Sequence, residues 1–152
     1  MMLGVEELLS TVRDMREALP VFRPVVIWQP HDDDPLVVTI EGSTGNVSTD
    51  LNEAFGRVRE LAGPPEWFAV ALDSYARDND PDGVPGSLEE AFLNGDMTVV
   101  EQVVVIVQSP ESGLTMFRQI YRNTPVDGWE WDEPQLVTDP DDEVCTAIRM
   151  FH

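Results

Sequence analysis

The sequence contains no lysine. All nine basic residues are arginines, and 29 acidic residues oppose them, so the formal net charge of the 152-residue chain is −20. Lysine and arginine are the residues that neutralise phosphates, and their scarcity argues against direct binding to nucleic acid or to an anionic membrane. The lack of lysine also excludes Schiff-base chemistry and a P-loop. The charge therefore favours a basic protein, or a cation, as partner.

Cysteine and histidine are also scarce. Cys145 is the only cysteine, so an intrachain disulfide and a cysteine-rich metal site are excluded. His31 and His152 are the only histidines, so a multi-histidine zinc site cannot be built and a nucleophile would have few bases to activate it. These shortages argue against nucleophilic catalysis, and we expect a protein that is not an enzyme.

Long apolar runs are missing. The run from Val103 to Val107, for example, has five residues, whereas a bilayer-spanning helix needs about 18. Glu6 and Glu7 make the start of the chain acidic where a signal peptide would be basic. We therefore expect a soluble, cytoplasmic protein. Hydrophobic residues make up 42% of the chain, which predicts a single domain over residues 1–152 with a substantial core.

Apolar periodicity predicts two main helices, over Val5–Leu19 and Asp50–Ala62. A short third helix is predicted over Ser87–Leu93, and an acidic loop over Glu133–Asp142. Residues 67–75 fit either a strand or a helix, and their alternation favours a strand. With that segment included, the predicted strands cover residues 21–28, 36–40, 67–75, 99–108, 114–122, 129–132 and 143–151.

The order of these elements predicts the fold class. Consecutive strands in the second half of the chain are typical of a meander, so the sheet should be mainly antiparallel. We expect an α+β domain of two layers, in which the two main helices pack on one face of the sheet.

One acidic segment resembles the calcium loop of the EF-hand family. Asp78, Asp80, Asp82, Gly83 and Glu89 fit the pattern D-x-[DN]-x-[DN]-G-x5-E at every fixed position. The resemblance implies a calcium site formed by the four carboxylates. It covers only twelve residues, has a proline at the eighth loop position and lacks the apolar flank of the family's incoming helix. The other interpretation is a solvated acidic turn, which fifteen aspartates make common.

Two further acidic features allow a chemical as well as a structural interpretation. His31 with Asp32, Asp33 and Asp34 could bind a divalent metal, but the flanking prolines favour a polar hairpin turn. Asp73 lies within an apolar run, where burial would raise its pKa and suit it to act as a carboxylate base. The alternative is a hydrogen-bonded acid at the end of a strand.

The second half of the chain also predicts a partner-binding surface. Residues 78–152 hold 16 of the 29 acids and three of the nine arginines, mostly in predicted loops. Trp129 and Trp131 share one face of a predicted strand, as an aromatic anchor or as part of the core. The candidate contact residues are Trp129, Trp131, Asp132, Glu133, Asp139, Asp141 and Asp142.

These features predict a non-catalytic acidic interaction protein. It would bind a basic partner, in the manner of an inhibitor, an immunity protein or a mimic of nucleic acid. Three alternatives stay open: a calcium-binding module at residues 78–89, a small carboxylate-based enzyme, and a salt-adapted or phage-type accessory protein whose charge has no specific role.

Overall fold

The computed structural model describes residues 4–19, 22–40, 47–77, 92–95, 99–110 and 113–137. Its main elements follow the order α-β-β-α-β-β-β-β-β. They are α1 (Val5–Ala18), β1 (Val25–Pro30), β2 (Leu36–Thr39), α2 (Val47–Ala62), β3 (Pro65–Arg77), β4 (Val99–Ser109), β5 (Gly113–Thr124), β6 (Gly128–Trp131) and β7 (Gln135–Val137).

Both helices match their predicted positions closely. Helix α1 has Glu6 and Glu7 in its first turn, where carboxylates interact favourably with the helix dipole. Helix α2 begins three residues before the predicted start and ends at Gly63, whose φ of 77° is the left-handed conformation that glycine adopts without strain. The Gly63 N–H closes the helix by donating to the Arg59 carbonyl over 2.8 Å. Neither described helix has the length and apolarity to cross a membrane.

The seven strands form one antiparallel sheet. Its strand order is β2-β1-β3-β4-β5-β6, with β7 also paired to β5. Neighbours in sequence from β3 to β6 are neighbours in the sheet, so the predicted meander is confirmed. The α+β class with an antiparallel sheet is likewise confirmed. The predicted helix over 87–93 lies mostly outside the described residues, and the predicted strand over 143–151 lies wholly outside them.

Strands β6 and β7 pair with the same side of β5, one after the other. Trp131 lies opposite Tyr121 and Gln135 lies opposite Arg118, so three residues of the edge oppose two of β5. This is a β-bulge, formed by Asp132–Pro134, and the Asp132 N–H still donates to the Ile120 carbonyl over 2.9 Å. Strand β7 lies within the segment predicted as an acidic loop, and that prediction is corrected.

The helices lie on opposite faces of the sheet, which corrects the expected two-layer arrangement to three layers. Residues of α1 cluster with Val25 and Ile27, whereas residues of α2 cluster with Val26 and Trp28. Adjacent residues of a strand point to opposite faces, so the two clusters are on either side of β1. The physical reason is that β1, β3 and β4 are apolar on both faces and each face needs a helix to cover it.

An aromatic cluster joins α2 to its face of the sheet. Trp28 is fully buried, with its ring centroid 5.6 Å from that of Phe68 and 6.4 Å from that of Phe55. The Trp28 indole N–H donates to the Gly63 carbonyl over 3.2 Å. This bond satisfies the polar atom of the buried ring and fixes the end of α2 on the sheet.

Candidate functional site

A charged cluster lies between α1 and the sheet. Asp73 of β3 and Tyr121 of β5 point to the α1 face, and Arg16 reaches them from the helix. The Tyr121 hydroxyl donates to Asp73 Oδ1 over 2.7 Å and accepts from Arg16 Nε at 3.1 Å. Arg16 Nε is also 3.2 Å from Asp73 Oδ2. Both carboxylate oxygens of Asp73 are therefore engaged within the protein.

Burial controls the ionisation of this cluster. It raises the pKa of Asp73, although the hydrogen bond from Tyr121 and the charge of Arg16 act in the opposite direction. It raises the pKa of the half-buried Glu101, and repulsion by Asp73 adds to the effect. Burial followed by the charge of Asp73 also raises the pKa of the Tyr121 hydroxyl. The raised pKa agrees with the expectation from the sequence that Asp73 is buried. Its bonds to Tyr121 and Arg16 favour the interpretation of Asp73 as a structural cross-link over that of a carboxylate base.

The two predicted tryptophans lie beside this cluster. Trp129 and Trp131 stack with centroids 6.0 Å apart and an angle of 10° between their planes, and Trp131 is 4.9 Å from the Tyr121 ring. The Arg16 guanidinium carbon is 5.2 Å from the Trp129 centroid and 5.3 Å from that of Tyr121, a cation–π geometry. Both indoles are partly buried against the α1-side core. This packing fits the core interpretation better than that of a free aromatic anchor.

The predicted acids of this surface divide into two groups. Asp132 lies in the bulge and pairs with Arg122 at 3.0 Å, and Glu133 beside it is exposed. The Asp132 carbonyl accepts a hydrogen bond from Gln119 Nε2 over 2.7 Å. Gln119 Oε1 in turn accepts one from Arg13 of α1, so the bulge is connected to that helix. The structure thus brings Trp129, Trp131, Asp132 and Glu133 to one edge of the sheet, whereas Asp139, Asp141 and Asp142 lie outside the described residues.

Known proteins offer no guide to this arrangement. No known family, curated protein or solved structure matches the chain significantly.

A second group of acids surrounds an open cleft at the β1–β2 turn. The cleft has a volume of about 460 Å³ and is lined by Gln29, Asp32, Asp33, Asp34 and Glu66. We call it the acidic cleft. The three consecutive aspartates come from the turn, and Glu66 comes from the adjacent start of β3. The turn predicted at residues 31–34 is confirmed, whereas no sequence pattern indicates that Glu66 joins them.

A buried amide fixes the turn of the acidic cleft. Gln29 is only 3% exposed, and its Nε2 donates to the carbonyls of Pro30 and Asp33, each over 2.8 Å. The Asp34 N–H donates to Asp33 Oδ1 over 2.8 Å, and Asp32 has a φ of 62°, a conformation that aspartate tolerates better than most residues. The backbone of the turn is therefore held by hydrogen bonds despite the mutual repulsion of the aspartates that it carries.

The metal hypotheses have different outcomes. His31 Nδ1 lies 3.5 Å from Glu66 Oε1, but no group of three or more potential ligands converges on a metal position anywhere in the described ranges. The EF-hand-like segment, with Asp78, Asp80, Asp82 and Glu89, lies outside the described residues and stays a prediction.

Proposed function

We propose that the chain is a non-catalytic interaction protein that binds a basic protein partner, with the acidic cleft as the principal contact. The observation that supports this proposal most directly is that Asp32, Asp33, Asp34 and Glu66 all line one open cleft. Lysine and arginine side chains that enter such a cleft form charge-assisted hydrogen bonds with several carboxylates at once. The field of the whole chain, with a net charge of −20, accelerates the encounter.

The rigidity of the turn adds to this argument. Binding costs less free energy when the contacting groups are already ordered. The two hydrogen bonds from Gln29 order the turn before any partner arrives. The backbone that carries the three aspartates therefore needs little further ordering when a partner binds.

The other charged cluster is a weaker candidate for function. Asp73 is bonded to Tyr121 and Arg16, so a substrate proton would have to compete with two internal donors for the carboxylate. This favours a binding protein over a carboxylate-based enzyme. The edge formed by Trp129 to Glu133 serves in this proposal as an additional contact, since Glu133 is exposed there.

The proposal is tested with two variants of equal net charge. In one, Asp32, Asp33 and Asp34 become asparagine and Glu66 becomes glutamine, which keeps the shapes of the side chains. In the matched control, four exposed helical acids become glutamine: Glu6, Glu17, Glu53 and Glu60. Wild type and both variants are immobilised and exposed to the same cell extract at about 50 mM salt, and the retained proteins are eluted with about 500 mM salt.

We expect one or more basic proteins on the wild type and on the control, but not on the cleft variant. Equal losses on both variants would indicate that only total charge matters, which is the salt-adapted alternative. Retention of no basic protein by the wild type would contradict the proposal.

A further inference from the structure

Strand β2 is at one edge of the described sheet. Its hydrogen bonds to β1 identify which of its residues direct their backbone groups outward. Among the described strands it pairs only with β1, in a register that places Thr39 opposite Val25. Continuing the same register, the Ile40 N–H donates to the Pro24 carbonyl over 2.8 Å. Hydrogen-bonded pairs alternate along an antiparallel ladder, so Val38 also directs its backbone groups towards β1.

The intervening residues direct their backbone groups the other way. The N–H and C=O groups of Val37 and Thr39 point away from β1, along the outer edge of the sheet. The same edge exposes apolar side chains, with Leu36 39% exposed and Val37 52% exposed. An added strand would pair with these backbone groups and cover both side chains.

The acidic cleft adjoins this edge. Asp34 is two positions before the first residue of β2, and Asp32 and Asp33 precede it in the same turn. A strand that runs antiparallel to β2 would pass Thr39 first and reach the turn at its own C-terminal end. The residues that follow its paired portion would then lie beside the turn that carries Asp32, Asp33 and Asp34.

We propose that the outer edge of β2 accepts an extended segment of the basic partner as an additional antiparallel strand. The segment has a short β-forming stretch followed by arginine or lysine residues, which enter the acidic cleft. This inference rests on the proposed function and specifies how the partner binds. A second copy of the chain is a poor occupant, because a net charge of −20 on each copy opposes their association.

The test uses a defined peptide and the full chain. The probe has five alternating valine and threonine residues followed by three arginines, with a fluorescent label for anisotropy measurements. A matched control peptide has the same sequence with every amide of the valine–threonine part N-methylated, which removes the donors and keeps the charge. We expect the control to bind at least about tenfold more weakly, the effect of losing one or two net hydrogen bonds.

Amide exchange in the wild-type chain provides a second measurement. Val38 and Ile40 should exchange slowly in the free protein, and Val37 and Thr39 should exchange fast until the probe peptide protects them. The variant Val37→Pro should also bind the probe at least about tenfold more weakly, since it removes an outward N–H and leaves the ladder to β1 intact.

Equal affinity of the two peptides would overturn strand addition and leave the proposed function standing, because the arginines alone would then account for binding. Slow exchange of Val37 and Thr39 in the free protein would also overturn it. Failure of both peptides to bind would overturn it too, and the acids and Pro35 would then serve to keep this edge from pairing.

Discussion

The Tyr121 hydroxyl donates a hydrogen bond to Asp73 across an intervening strand. The oxygens are 2.7 Å apart, although β4 separates the two strands in the sheet. Tyr121 is only 1% exposed, and its hydroxyl also accepts from Arg16 of α1. The phenol of Tyr121 therefore connects three elements of the fold, which are α1, β3 and β5.

The variant Tyr121→Phe should lower the free energy of unfolding by about 1–3 kcal/mol. The ring is kept, but Arg16 and Asp73 each lose a partner in a largely buried position. Urea unfolding at neutral pH measures the loss. A double-mutant cycle with Asp73→Asn should give a coupling energy of at least about 0.5 kcal/mol, and strict additivity would show that the bond contributes nothing to stability.

The variant Glu101→Gln should be more stable than wild type at pH 7. The pKa of Glu101 is raised in the folded protein, so its ionisation penalises folding at pH values above the ordinary carboxyl range. The advantage of the variant should shrink as pH falls through the raised pKa and vanish below the ordinary value of about 4.3.

Urea midpoints measured between pH 3 and pH 8 would test this dependence. Removal of any carboxylate reduces the general repulsion in so acidic a chain, so the exposed Glu53→Gln is the matched control. An equal gain from both variants would refute the specific role of the buried position of Glu101.

The variant Gln29→Met should loosen the acidic cleft. Methionine has a similar volume but cannot donate to the carbonyls of Pro30 and Asp33, so we expect a loss of about 1–2 kcal/mol in stability. Gln29→Glu should cost more, because it adds a carboxylate to the turn as well as removing the donor. Thermal unfolding orders the three proteins, and a Gln29→Met protein as stable as wild type would contradict the assigned bonds.

The three-layer arrangement predicts which core substitutions are independent. Ile27→Val, on the α1 side, and Phe55→Leu, on the α2 side, lie in separate clusters, so their effects should add within about 0.5 kcal/mol. Phe55→Leu and Phe68→Leu affect rings 5.1 Å apart and should couple by about 0.5 kcal/mol or more. Coupling of the first pair as strong as that of the second would place both helices in one core.

The sequence predicted the elements better than their arrangement. Alternation in Val103–Val107 identified β4, and the apolar stripe of each helix identified its buried side. A stripe does not specify which face of a sheet it covers. The signal for two covered faces was nevertheless present, because the run from Phe68 to Ala71 is apolar at every position and buried throughout.

The candidate sites show a similar limit. Asp73 could be singled out because it follows an apolar run, but Arg16 and Tyr121 are distant in sequence and nothing local marks them as its partners. Glu66 joins the acidic cleft only because β3 pairs with β1. Strand β7 was missed because three residues after Pro134 are too few to establish a period.

The position of Arg16 also affects how the protein is made. Its partner Tyr121 follows 105 residues later, and the partner of Arg13, Gln119, follows 106 residues later. A ribosome builds α1 before β5, so the nascent chain lacks these two partners until Gln119 and Tyr121 have been added. The polar contacts of α1 with β5 thus form late, although its apolar stripe can pack earlier against β1 and β3.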